Sequence, residues 1–140
     1  MKHHTKDKAD IAVAKIISDL VGQGFGVAIP LSEHQPFDLL AYDEINVYKV
    51  QVKHKKLYHG GVLVDFKTSW ADKHGNHINT YDLGNLYFAI YCPSVGIAYY
   101  KPIIGTKAVS LRIDHTRKCI NTTKYFSDYA TFVPITEAAF

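Results

Sequence analysis

An aspartate, followed thirteen residues later by a glutamine and then a lysine two places on, constrains this chain more than any other feature. Pro36-Phe37-Asp38 leads into the apolar run Leu39 to Tyr42, and Gln51-Val52-Lys53 lies in a second run from Val47 to Lys55. Only the polar segment Asp43-Glu44-Ile45-Asn46 separates the two runs. Strands joined this tightly pair antiparallel. Pairing Tyr42 with Val47 then places Asp38 opposite Gln51, and a two-residue or a four-residue loop preserves that register. Directly opposed residues have Cβ atoms about 4.5–5.5 Å apart, and the two-residue period puts Lys53 on the same face. Oxygen ligands beside an ammonium suit Mg²⁺-assisted attack on a phosphodiester. The carboxylate holds the ion, the ion acidifies a water, and the ammonium offsets the developing charge.

The remaining sequence bounds the setting of that pair. A chain of 140 residues forms one domain, residues 1–140, with 47% hydrophobic residues to build a core. No apolar run approaches the roughly 18–20 residues of a membrane span, and no secretory signal pattern opens the chain, so a cytoplasmic protein is expected. The Asn121-Thr122-Thr123 sequon therefore carries little weight, and His3-His4 carries none. Cys92 and Cys119 lack metal-ligand spacing and are expected to be reduced thiols. Net charge is +3, with Lys49, Lys53, Lys55 and Lys56 crowding one strand. Lys101, Lys107, Arg112, Arg117, Lys118 and Lys124 dominate the last third. Such clusters suit phosphate contacts, although a solvated basic face has the same composition.

Periodicity predicts a helix over 6–22, ended by Gly22 and Gly24, with Val13, Ala14, Ile17, Leu20 and Val21 on its buried stripe. Strands are predicted over 25–29, 37–42, 47–55, 62–67, 86–91, 97–101 and 109–113, with a polar loop over 72–80. The segments 86–91 and 97–101 form a hairpin through Pro93-Ser94-Val95-Gly96. The fold class is a helix packed on a mixed central sheet, α/β or α+β, with a β-rich second half. Tyr125, Phe126, Tyr129, Phe132, Val133, Ile135 and Phe140 make an apolar but aperiodic tail, expected to dock on the body or on another subunit.

A third acid has two candidates. Asp10 precedes Val13 by three residues and Ala14 by four, which aligns it with the expected buried stripe. An acid there needs a partner or a metal, unless it serves only to complement the helix dipole. Glu33 is the rival. Lys55, Lys56, Tyr58, His59, Lys73, His74, Asn76 and His77 lie in polar stretches that could reach DNA phosphates or base edges. His74-Gly75-Asn76-His77 lacks the ordered ββα pattern of a His-Asn-His nuclease centre.

Pro36-Phe37-Asp38 with Gln51-Val52-Lys53 resembles the PD-(D/E)XK nuclease signature, with Gln51 in a slot that is usually acidic. Thr5 to Asp10, Pro30-Leu31-Ser32-Glu33-His34 and Ser69-Trp70-Ala71-Asp72 extend the likeness over roughly residues 5–115. Together they are similar to the small homing endonucleases encoded in group I introns of cyanobacteria. That resemblance implies a restriction-endonuclease-like core and double-strand cleavage of a long, partly palindromic DNA site. It implies Mg²⁺, with Mn²⁺ able to substitute, held by Asp38, Gln51 and Asp10, with Lys53 beside the attacking water. It also implies a homotetramer that touches double-stranded DNA through two subunits. Two alternatives remain open at this stage: a Holliday-junction resolvase, and a DNA-binding module whose centre has decayed at Gln51.

Overall fold

The computed structural model describes residues 4–32, 34–80, 86–103, 105–114 and 123–135, with the backbone alone over 67–72 and 76–80. Helix α1 runs His4–Gly22, two residues longer at its start than predicted. It stops where Gly24 turns to φ +95° and the Phe25 N–H donates to Leu20 O at 3.0 Å. Its buried side is Ala12, Ile16 and Leu20, with Val13 and Ile17 half-buried beside them. The predicted stripe was therefore rotated: Ala14 and Val21 face solvent. Alanine and valine at those positions fit the apolar count of either phase, and only the partner sheet selects one.

The central sheet has the order β1-β2-β3-β7-β8. Its strands are β1 Gly26–Ala28, β2 Leu39–Tyr42, β3 Val47–His54, β7 Leu86–Cys92 and β8 Gly96–Tyr100. All neighbours are antiparallel except β3 and β7, so the expected mixed sheet is present. Parallel pairing demands a long crossover, and here the crossover carries further strands. One is β4, Gly61–Asp65, which pairs with β9, Ala108–Arg112, and through it with the short β10, Lys124–Tyr125. The others are β5, Lys67–Asp72, and β6, Gly75–Thr80, a separate two-stranded ribbon. The predicted polar loop over 72–80 is thus a strand with a two-residue turn at Lys73-His74. Its Asn and His residues have low strand propensity, and ladder hydrogen bonds override that preference. Gly75 at φ +118° supplies the backbone that the turn requires.

Strand β7 is apolar almost without break, and it is buried on both faces. Its odd residues Tyr87, Ala89 and Tyr91 join α1, Val50, Val52 and Tyr99 in one core layer. Its even residues Phe88, Ile90 and Cys92 join Val62, Val64 and Phe66 of β4 and Val109 and Leu111 of β9 in the other. Cys92 is a buried free thiol; Cys119 lies outside the described residues. The tail closes both layers. Phe126 caps the second, and Phe132, 3% exposed, sits among Phe25, Tyr48, Tyr87 and Tyr99 with ring centres 5.0–5.7 Å away. The Phe132 N–H donates to Gln23 Oε1 at 2.9 Å, while Asp19 Oδ2 accepts from Gln23 and from Tyr99 OH at 2.6 Å. Much of the tail therefore docks on its own body, and Val133 and Ile135 remain exposed. Phe140 lies outside the described residues.

The β2–β3 turn fixes the register on which the candidate site depends. Tyr42 pairs with Val47 and Leu39 with Val50, as the sequence predicts. Asp43 Oδ1 accepts from the Ile45 and Asn46 N–H groups at 2.9 and 2.8 Å, and Oδ2 from Tyr48 OH at 2.7 Å. These donors favour the charged form and hold the carboxyl below its ordinary value of 3.8. A depressed folded-state value adds stability above the unfolded value, and that stability is lost as pH falls through the folded one. Asp43→Ala is expected to lower the thermal midpoint at neutral pH, with the gap to wild type shrinking steadily below pH 3.8. A pH-independent gap in paired melts would show that the charge does not hold the turn.

Candidate active site

Asp38 sits where β2 begins, at a bend rather than in the ladder. Phe37 packs against the second core layer while Leu39 is buried in the first, so the chain twists between them. That twist alters the expected Asp38–Gln51 pairing. The Asp38 N–H donates to Val50 O at 2.9 Å, and the carboxylate Oδ2 accepts from the Val52 N–H at 2.7 Å. Asp38 thus brackets Gln51 from both sides instead of facing it as a ladder partner.

Strand β3 alternates: Tyr48, Val50 and Val52 are buried toward α1, while Lys49, Gln51 and Lys53 take the opposite face. Parallel pairing sets Gln51 beside Phe88 and Lys53 beside Ile90. Lys53 Nζ lies 6.0 Å from the Phe88 ring centre, and Lys49 Nζ lies 5.7 Å from that of Phe37. The site is therefore a polar rim on an aromatic floor. Burial raises the Asp38 carboxyl above 3.8, against the Val52 hydrogen bond and the Lys53 charge. Burial likewise pushes Lys53 below its ordinary 10.5, helped by Lys55 and opposed by Asp38 and Asp65. Asp65 is the last residue of β4 and is exposed.

Asp10 is exposed on α1, on the flank it shares with Val13 and Ile17, rather than along the buried stripe. The helix covers the face of β3 opposite Gln51 and Lys53, and the part of Asp10 in the site rests on the resemblance. Glu33 lies outside the described residues. A basic margin continues from the site along β3. Burial, then the Lys8 and Lys56 charges, lower the His54 value. Lys8, missed from sequence, joins this margin because α1 lies across β3. Lys55 is half-buried and Lys56 is exposed.

The expected DNA-contacting loops occupy two places. Tyr58-His59-Gly60-Gly61 is a tight turn with φ +47° at His59 and +73° at Gly60, closed by mutual Tyr58–Gly61 backbone hydrogen bonds. Arg112 Nη1 donates to His59 O at 2.7 Å and fixes the turn, leaving Tyr58 71% exposed. Lys73 and His74 are exposed at the tip of the β5–β6 ribbon, and Asn76 and His77 follow on β6 opposite Ala71 and Trp70.

The donor set suits a hard cation. Asp38 Oδ2 is engaged by Val52, which leaves Oδ1 as the second oxygen of a carboxylate that burial makes gain from a positive neighbour. Mg²⁺ takes one or two protein carboxylates and otherwise water and phosphate oxygens. Among the described residues no three His, Cys, Asp or Glu side chains gather at one point. The Val52 bond also makes a stability prediction. Asp38→Asn keeps an acceptor oxygen and is expected to stay within about 1 kcal/mol of wild type in urea unfolding, the scale of one net hydrogen bond. Asp38→Ala orphans a buried N–H and should cost about 1–3 kcal/mol more. Equal stability of the two variants would show that the carboxylate does not clamp β3.

A family model described as PD-(D/E)XK endonuclease matches residues 3–132. A solved structure of a bacterial homing endonuclease, I-Ssp6803I, is similar in fold, with a TM-score of 0.69. It is 22% identical in sequence, over 90% of this chain and 88% of that one. No curated protein matches the chain. With the family match spanning almost the whole sequence and acid, amide and ammonium gathered at one end of β2 and β3, this chain belongs to the PD-(D/E)XK endonucleases.

Proposed function

We propose that this DNA endonuclease is a site-specific homing enzyme that makes double-strand breaks with Mg²⁺, or with Mn²⁺ in its place. The bracket that Asp38 forms around Gln51, with Lys53 on the same face, carries this reading. Asp38 Oδ1 and Gln51 Oε1 would hold the ion, with Asp10 as the third ligand by resemblance. A bound Mg²⁺ supplies a Lewis acid and lowers the pKa of its water. Lys53 supplies the remaining charge: its ammonium offsets the negative charge gained by the phosphoryl oxygens as water adds to phosphorus and the ester oxygen leaves. The Phe88 ring, 6.0 Å from Lys53 Nζ, flanks the ammonium on the floor of the site.

DNA recognition falls to the basic margin and the ribbon. Lys8, Lys55 and Lys56 suit phosphate contacts, as does the pinned Tyr58-His59 turn. A two-stranded ribbon fits the major groove, which supports a base-reading role for Lys73, His74, Asn76 and His77 on β5 and β6. The similar solved enzyme is a bacterial homing endonuclease, and that likeness favours a rare-cutting function over a junction resolvase. An intron-borne gene belongs to the same reading.

The test starts from bacterial genomic DNA incubated with protein and Mg²⁺ or Mn²⁺, followed by capture and sequencing of the new ends. Wild type should yield ends at one recurring, partly two-fold sequence, and Asp38→Asn none. On the recovered duplex, Lys53→Met should slow single-turnover cleavage at least about 100-fold while DNA binding in Ca²⁺ changes only a few fold. Gln51→Glu should retain activity with an altered metal dependence, and Gln51→Leu should lose far more. Full activity in Lys53→Met removes the lysine from the chemistry. Cleavage of a four-way junction in preference to any duplex would favour a resolvase.

One centre cuts one strand, so a double-strand break calls for at least two subunits on a two-fold site. We place the chain in a homotetramer in which two subunits engage DNA. Ile29, Leu31, Ile45, Val133 and Ile135 are large apolar side chains left exposed for such contacts. Light scattering is expected to return about four times the 15.8 kDa chain mass without DNA. A monomer both free and on DNA would overturn this assembly.

A further inference from the structure

The turn at Tyr58 is held more tightly than a surface connection needs. Each of its carbonyls is taken. Tyr58 O accepts from the Gly61 N–H at 3.0 Å, and Gly61 O from the Tyr58 N–H at 2.8 Å. Gly60 O accepts from the Ile113 N–H at 3.0 Å, and His59 O from Arg112 Nη1 at 2.7 Å. Arg112 also pairs with Gly61 in the β4–β9 ladder, and a Cβ on Gly60 would come within 3.0 Å of its guanidinium. The turn is thereby fixed to β9. His59 meanwhile adopts φ +47°, which a residue with a Cβ rarely does. Glycine would take that conformation without strain. What the imidazole adds is a brace, because its ring meets the Tyr58 ring edge-on with centroids 4.1 Å apart. The result is an aromatic side chain on a rigid base, 71% exposed.

The position of the turn decides what that ring can reach. The Lys55 N–H donates to Tyr91 O at 2.9 Å, so the chain leaves β3 along its own line, from the end that carries Lys53. Tyr58 lies five residues beyond Lys53, about 18 Å at full extension. Even with both side chains outstretched, the ring stays within about one helical turn of duplex, roughly 34 Å, of a phosphate at the ammonium. Lys55 and Lys56 lie on the way and Arg112 lies at the base of the turn, so cations flank the ring and draw a duplex toward it. Those cations serve the phosphates. A phenol ring neutralises no charge, but its face stacks on any base, and side chains wedged into a base step unstack it and bend the duplex. A preformed turn presents such a wedge without an ordering cost at binding.

We propose that Tyr58 is a wedge that stacks into a base step of the bound duplex, braced by His59, and so bends the DNA near the cut. The proposal rests on the nuclease reading, and its test separates the two. Tyr58 is exposed, so Tyr58→Ala and Tyr58→Phe should fold as wild type does. On the recovered duplex in Ca²⁺, 2-aminopurine is moved through one helical turn on either side of the cut. Wild type should brighten it at one step in each half-site, and energy transfer between dyes at the duplex ends should report a bend. Tyr58→Ala should lose both signals and bind about 5–100-fold more weakly. Tyr58→Phe, which keeps the ring, should stay within a few fold of wild type and bend the duplex as it does. The salt dependence of binding should be unchanged in Tyr58→Ala, whereas Lys56→Ala should lower the log–log slope by about one per DNA-contacting subunit. His59→Gly should melt no lower than wild type and reduce the bend. Tyr58→Ala that binds and bends DNA like wild type would overturn the proposal. Tyr58→Phe that fails as Tyr58→Ala does would also overturn it, because the hydroxyl rather than the ring would then make the contact. A smaller particle mass for Tyr58→Ala in light scattering would do the same, placing the turn between subunits. Wild type that cuts no DNA would overturn the nuclease reading instead, and affinity and salt slope of the same variants on mixed-sequence duplex would still decide the wedge.

Discussion

The hydrogen bond from the Val52 N–H to the Asp38 carboxylate is the interaction on which the site depends. It joins the bend at the start of β2 to the middle of β3, where the ordinary ladder ends at Leu39–Val50. A charge-assisted bond of this kind is worth about 1.5–3 kcal/mol. It also performs a geometric task, occupying one carboxylate oxygen and tying Asp38 to the residue after Gln51. The turn at Asp43 sets the register and the Asp38 clamp fixes its far end. Between them the chain presents an amide and an ammonium on one face of β3.

Burial gives those groups their chemical character. Strand β3 shares its polar face with Phe88 of β7 and, across it, Phe66 of β4, so Asp38 and Lys53 are partly removed from water. Desolvation disfavours both charges, and each relieves part of the other's penalty. A half-desolvated acid and base in this position are poised to welcome a cation and a phosphate together.

Much of this was legible in the sequence where the determinant is local. The short spacing from Tyr42 to Val47 fixes a hairpin register, and the run Leu86 to Tyr91 reads as a strand on any scale. The Asp38 detail was not legible, because the bend arises from Phe37 and Leu39 choosing opposite core layers. The rotated face of α1 follows from the sheet it meets, since Ala12 and Ala14 carry equivalent signals. The ribbon escaped because Asn76 and His77 are weak strand formers, and their pairing with Trp70 and Ala71 overrides that. Lys8 comes near His54 through tertiary packing alone. The tail showed its apolar content but not its destination, which the fit of Phe132 among four aromatic rings determines.

The most direct measurement is anomalous diffraction from crystals of the protein equilibrated with Mn²⁺. The account predicts a manganese peak bonded to Asp38 Oδ1 and Gln51 Oε1, with Asp38 Oδ2 still accepting from the Val52 N–H. That peak should be absent from crystals of Asp38→Asn. A manganese peak confined to other carboxylates, or one that persists unchanged in Asp38→Asn, would contradict it.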